Sequence, residues 1–189
     1  MRNISLAAGI LVACAAAAPV AAGVLVLGSN AGKECYEAAR NQISSLEALA
    51  SCDLALAQDA LTAEEKVATY VNRGVVKLYR RSYQEAIQDF DQAMALDPSE
   101  PESYLNKASA LLRSDASPAE AKALFSQALE RETRRPELAF FGRAIANELS
   151  GDINSAYQDY KRAQVAAPRW QQPRRELSRF RVTRASTPL

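Results

Sequence analysis

The stretch Val67–Glu100, VATYVNRGVVKLYRRSYQEAIQDFDQAMALDPSE, decides the fold. Small residues stand at Gly74, Ala86 and Ala93, large ones at Tyr70, Tyr83 and Phe90, and Pro98 closes the unit. The spacing describes two amphipathic helices joined by a tight turn. Only small residues let antiparallel helices approach closely, and large ones fill the space beside them. Thr62-Ala63-Glu64-Glu65 is a capping box, with Thr62 as N-cap and Glu65 reaching back, so the first helix starts a turn early. Ser82-Tyr83-Gln84-Glu85 has the same form and predicts a second capped start. Leu96-Asp97-Pro98 ends that helix, because proline cannot continue the hydrogen-bond ladder.

The same ladder recurs downstream. From Pro101 to Pro136, Tyr104, Ala108 and Leu111 take the first-helix places and Ala121, Phe125 and Ala128 the second. One extra residue sits in the turn Arg113–Ser117, and Thr133 stands where the closing proline is expected. Ser117-Pro118-Ala119-Glu120 restarts the chain with a capping box and proline at the first helical position. From Glu137 to Trp170, Phe140, Ala144, Ile153, Ala156, Tyr160, Ala163 and Pro168 keep the register, with Gly151 for the turn and Asp152 for the next N-cap. Upstream, Ala48, Cys52 and Ala55 fit a second helix over Glu47–Gln58, and Tyr36–Gln42 a shortened first one. After Pro168, Gln171–Arg181 reads as a capping helix. Leu177 and Phe180 would cover the last apolar face, and Arg174, Arg175, Glu176 and Arg179 would face water.

Composition limits what these helices do. Alanine and leucine are abundant, glycine is scarce, and the net charge is +1, so no global field points to nucleic acid or to an anionic membrane. The chain has no histidine, which removes the commonest general base and the commonest zinc ligand. No acid, base or nucleophile stands in a catalytic motif, and no cofactor or metal is expected. The arginine-rich end could be read as a nucleic-acid or lipid patch, but a solvated cap face explains the same charges.

The first residues read as an export signal. Arg2 is the only charge before Lys33, Ile4–Val12 is apolar, and Val20-Ala21-Ala22 satisfies the small-x-small rule, which puts cleavage after Ala22. Two rivals stand beside that reading. Leu11-Val12-Ala13-Cys14 matches a lipobox, which would tether the chain through Cys14. Ile4–Leu27 is also long enough to act as an uncleaved anchor. All three place the domain on the non-cytoplasmic side. Loss of Cys14 leaves Cys35 and Cys52, a pair expected to form a disulfide in an oxidising compartment. The alternative is two small buried residues in helix packing. The expected division is a signal over 1–22, a mature N-terminal segment over 23–33, and a degenerate repeat over 34–66. Full repeats follow over 67–100, 101–136 and 137–170, then a capping helix and tail over 171–189.

The ladder of small and large positions resembles the tetratricopeptide repeat, a helix-turn-helix unit of about 34 residues. The resemblance covers Glu34 to Arg181. It implies an all-α superhelical array of antiparallel helix pairs, whose concave face, lined by each repeat's first helix, binds a peptide or a partner's extended segment. Two departures matter. The family often has leucine just before the first small position, where this chain has Arg73, Lys107 and Arg143. Asp89 and Asp159 sit just before the large residue of their second helices, so Arg73 is expected to pair with Asp89, and Arg143 with Asp159. The competing reading is a basic ladder that grips an acidic ligand. Some members hold a partner's C-terminal carboxylate with lysine and asparagine at concave places. Here those places carry Val71, Val75, Leu105, Ser109, Phe141 and Ile145, so no carboxylate clamp is expected. The expected site is an apolar groove of Val71, Val75, Tyr79, Leu105, Leu112, Phe141 and Ile145, with Asn72 and Asn106 able to bond a peptide backbone. The implied function is a non-catalytic protein-binding scaffold, periplasmic in a bacterial envelope, or else a membrane-tethered assembly factor.

Overall fold

The computed structural model describes residues 2–6, 30–57, 61–114 and 116–184. Helices dominate them. Antiparallel pairs form from α1 (Asn30–Arg40) with α2 (Leu46–Leu56), α3 (Ala63–Tyr79) with α4 (Tyr83–Leu96), α5 (Pro101–Arg113) with α6 (Pro118–Glu130), and α7 (Pro136–Leu149) with α8 (Ile153–Ala166). Each pair packs on the next, and α9 (Gln171–Leu177) lies against α8. The Cys35–Cys52 disulfide joins α1 to α2. Among the described residues no helix is long and apolar enough to cross a membrane.

The ladder does the packing. Phe90, Phe125 and Tyr160 project from the second helices into the interior, and Ala86, Ala93, Ala121, Ala128, Ala156 and Ala163 are buried around them. The α1–α2, α3–α4 and α7–α8 turns share one device. Arg81 takes a positive φ of 65°, its N–H bonds the Leu78 carbonyl at 3.2 Å, and the Ser82 N–H bonds the Lys77 carbonyl at 3.0 Å. Gly151, at φ 79°, closes α7 in the same way, with Asp152 N–H on the Asn147 carbonyl at 2.9 Å. Gln42 and Glu132 also adopt this conformation without glycine, at about 1–2 kcal/mol each.

Four local expectations need correction. Thr62 and Glu65 form a complete capping box, but Ser82 makes no side-chain cap bond. Its ψ of 63° turns the short hydroxyl away, whereas Asp152, at ψ 73°, has the longer side chain and reaches Ser155 N–H at 3.1 Å. Helix α1 begins at Asn30 rather than near Tyr36, because Ala31 and Gly32 continue the buried face of Cys35, Ala38 and Ala39. Helix α2 runs from Leu46 to Leu56, with Ser45 as its cap. The capping helix stops at Leu177, and Phe180–Arg184 forms a strand, β2, antiparallel to β1 (Arg2–Leu6) with Leu6 opposite Phe180 and Arg2 opposite Arg184. The pairing lies beyond the last repeat but overlaps the end of the expected capping helix. Phe180 draws the chain out of the helix by packing on Tyr157 and Tyr160, with ring centroids at 5.6 and 5.9 Å. β1 falls within the expected export signal. The rest of that signal, with Cys14 and Ala22, and the stretch 23–28 lie outside the described residues.

Candidate functional site

The first-helix stripe divides into a buried floor and a half-buried edge. Val71, Val75 and Leu105 have no solvent exposure. Val75 belongs to a cluster with Cys35, Ala38 and Phe90, and Val71 to one with Val67 and Ala93. Phe141 is also buried, its ring 5.4 Å from Tyr160 and 4.7 Å from Trp170, so the last repeat closes over it. Tyr79, Leu112 and Ile145 remain half-buried, one from each of α3, α5 and α7, and Leu149 beyond them is exposed. Asn72 and Asn106 are fully buried. Neither the Asn106 amide nitrogen nor its oxygen has a partner, an arrangement that costs about 1–3 kcal/mol per unsatisfied group.

The cations before the small positions are engaged inside the array. Arg73 donates from Nε and Nη2 to both oxygens of Asp89, at 3.0 and 2.7 Å, and from Nη1 to Asp53 of α2 at 2.7 Å. Lys77 also reaches Asp89, at 2.8 Å. Burial alone would lower the Arg73 pKa, but Asp89 and Asp53 outweigh it and raise it. Arg143 holds Asp159 in the same fork, at 2.8 and 2.9 Å, and Arg162 and Asn147 add contacts at 3.1 and 3.2 Å. Lys107 bridges Asp91 at 2.8 Å and Glu120 at 3.4 Å. These charges hold helices together, with carboxylates of the chain itself as their ligands.

Sequence reasoning missed Glu102. Its carboxylate is fully buried, accepts the Arg134 N–H at 2.8 Å and the Thr133 hydroxyl at 3.1 Å, and has its pKa raised by burial. The signal was Thr133, which replaces the closing proline and supplies a donor there. Among the described residues no group of three or more histidine, cysteine, aspartate or glutamate side chains could hold a metal.

No protein-family model matches the chain, and no curated protein matches it in sequence. Solved structures do match. PilW, a widely conserved type IV pilus biogenesis factor, is 25% identical with a TM-score of 0.68, and the alignment covers 81% of this chain and 69% of PilW. The second TPR domain of human RPAP3, in complex with the HSP70 peptide SGPTIEEVD, is 25% identical with a TM-score of 0.57, over 62% of this chain and 96% of that one. The chain is a tetratricopeptide-repeat (TPR) protein. The Arabidopsis OM64 TPR domain shares the fold at 19% identity and a TM-score of 0.59, over 62% of this chain and 96% of that one. A TPR array is an interaction scaffold, and in the RPAP3 complex the scaffold holds a peptide. The helix pairs of this TPR protein supply the same kind of rigid frame.

Proposed function

We propose that this TPR protein is a non-catalytic protein-binding scaffold of a bacterial cell envelope, acting on the periplasmic side. It would take an apolar, extended partner segment along its first-helix face. The observation that carries this reading is that Tyr79, Leu112 and Ile145, one apolar residue from each of three successive first helices, remain half-buried. Val71, Val75, Leu105 and Phe141 are buried in the core beneath the first helices. The RPAP3 peptide ends in acidic residues, whereas the floor here is hydrocarbon, so an acidic C-terminus is not the expected ligand. The likeness to PilW, the Cys35–Cys52 disulfide and the export-like N-terminal pattern support the envelope location.

The test is Leu112→Glu combined with Ile145→Glu. Both positions are half-buried, so a charge can reach water without entering the floor. The expected result is an unchanged circular-dichroism melt and loss of the partner that crosslinks to the wild-type protein in the periplasm. A partner that still crosslinks to the folded double variant would end this assignment of the face.

A further inference from the structure

The first two interfaces between successive helix pairs share one pattern of charge, and the third breaks it. In both, an acid after the large position of the second helix meets the cation of the following first helix. In the first interface Asp53 of α2 meets Arg73 at 2.7 Å, and in the second Asp91 of α4 meets Lys107 at 2.8 Å. In the third the place after Phe125 holds Ser126, whose hydroxyl accepts from Arg143 Nη1 at 3.0 Å. A carboxylate is replaced by a neutral group, and a cavity of about 330 Å³ opens there, between α6, α7 and α8.

The lining of that cavity is polar and short of negative charge. Asp159 faces two guanidiniums, Arg143 and Arg162, whereas in the first interface Arg73 and Lys77 share two acids, Asp89 and Asp53. Lys122 stands on the rim, 3.7 Å from Asp152. Asn147 takes the register place of Lys77. It is 2% exposed, its nitrogen donates to Asp159, and its oxygen is buried without a partner. The site therefore lacks one anion beside Arg143 and one donor beside Asn147.

We propose that this cavity docks an acidic side chain of a partner protein, its carboxylate taking against Arg143 the place that Asp53 and Asp91 fill in the preceding interfaces. The backbone N–H of the same residue meets the Asn147 oxygen. The site lies between α6, α7 and α8, is lined by none of Tyr79, Leu112 and Ile145, and does not depend on the groove reading.

The experiment titrates the full chain with N-acetyl-aspartate N-methylamide and follows the Nε–H resonances of Arg143 and Arg162 and the amides of Asn154–Gln158 by NMR. Saturable shifts are expected, with none from the asparagine analogue. Ser126→Asp supplies the missing carboxylate from the chain itself, so affinity for the probe should fall about tenfold or more. Equal shifts from chloride at matched ionic strength, or no saturable shift, would overturn the proposal. So would a folded Ser126→Asp protein that binds as the wild type does. Acetate binding as tightly as the peptide analogue would overturn the partner assignment and make the site one for free carboxylates.

Discussion

Gly142→Ala sets helix propensity directly against packing. Gly142 lies on α7 facing the ring of Phe125, and an added Cβ would stand 2.2 Å from Cζ and 2.6 and 2.7 Å from the two Cε atoms. Phe125 is 1% exposed in the main core cluster, so its ring has no solvent to retreat into. Propensity alone favours alanine in a helix by about 1 kcal/mol. Overpacking of a filled core costs about 1–3 kcal/mol, and a contact this short with a ring belongs at the upper end. The expected net is a loss of about 1–2 kcal/mol, equivalent to about 2–8 °C in Tm for a domain of this size. Calorimetry and urea unfolding measure it. Phe125→Leu removes the clashing atoms, so in that background Gly142→Ala should cost less than it does alone. Stabilisation by Gly142→Ala in the wild-type background would refute close α6–α7 approach at this glycine.

The other expectations concern covalent, ionic and protonation effects. Cys35→Ser releases a loop with a sequence separation of 17 and should cost about 3 kcal/mol by urea unfolding, while thiol labelling of the native protein leaves Cys35 and Cys52 unmodified. Asp89→Ala strips Arg73 and Lys77 of a carboxylate that is 4% exposed and should cost about 3 kcal/mol. Asp53→Ala removes a carboxylate that is 55% exposed and should cost no more than about 1 kcal/mol. Glu102 has its folded-state pKa raised above 4.5 by burial, so its contribution is full below the unfolded value and is lost as pH rises through the folded one. Glu102→Gln should therefore flatten the stability curve from pH 4.5 upward, and an unchanged slope in pH-resolved melts would count against that role.

The helix pairs were legible because their code is local. A small residue where helices cross and a large one beside it recur in register, and Thr62, Ser117 and Asp152 mark helix starts by chemistry alone. The Arg73–Asp89 and Arg143–Asp159 contacts could be read from register for the same reason. What the sequence hid depends on contacts across units. Nothing in the sequence around Gly142 marks it, and only the Phe125 ring from the preceding repeat shows why a side chain does not fit there. Glu102 stands in the sequence as one more first-turn acid, and only the approach of Thr133 and Arg134 buries it. The stripe with Val71 and Val75 read as one open face, yet α1 packs against α3 and Val75 lies in their shared core. The end of α9 followed Phe180, whose aromatic contacts outweigh the helical pattern of Gln171–Arg181.

The most direct test of the binding face places a photo-crosslinking residue at Leu112, on the proposed edge, and separately at Val165, which is 79% exposed on α8. Both proteins are irradiated in intact cells and the adducts compared after purification. A discrete protein adduct is expected from Leu112 and none from Val165. An adduct from Val165 with none from Leu112 would contradict this assignment of the face.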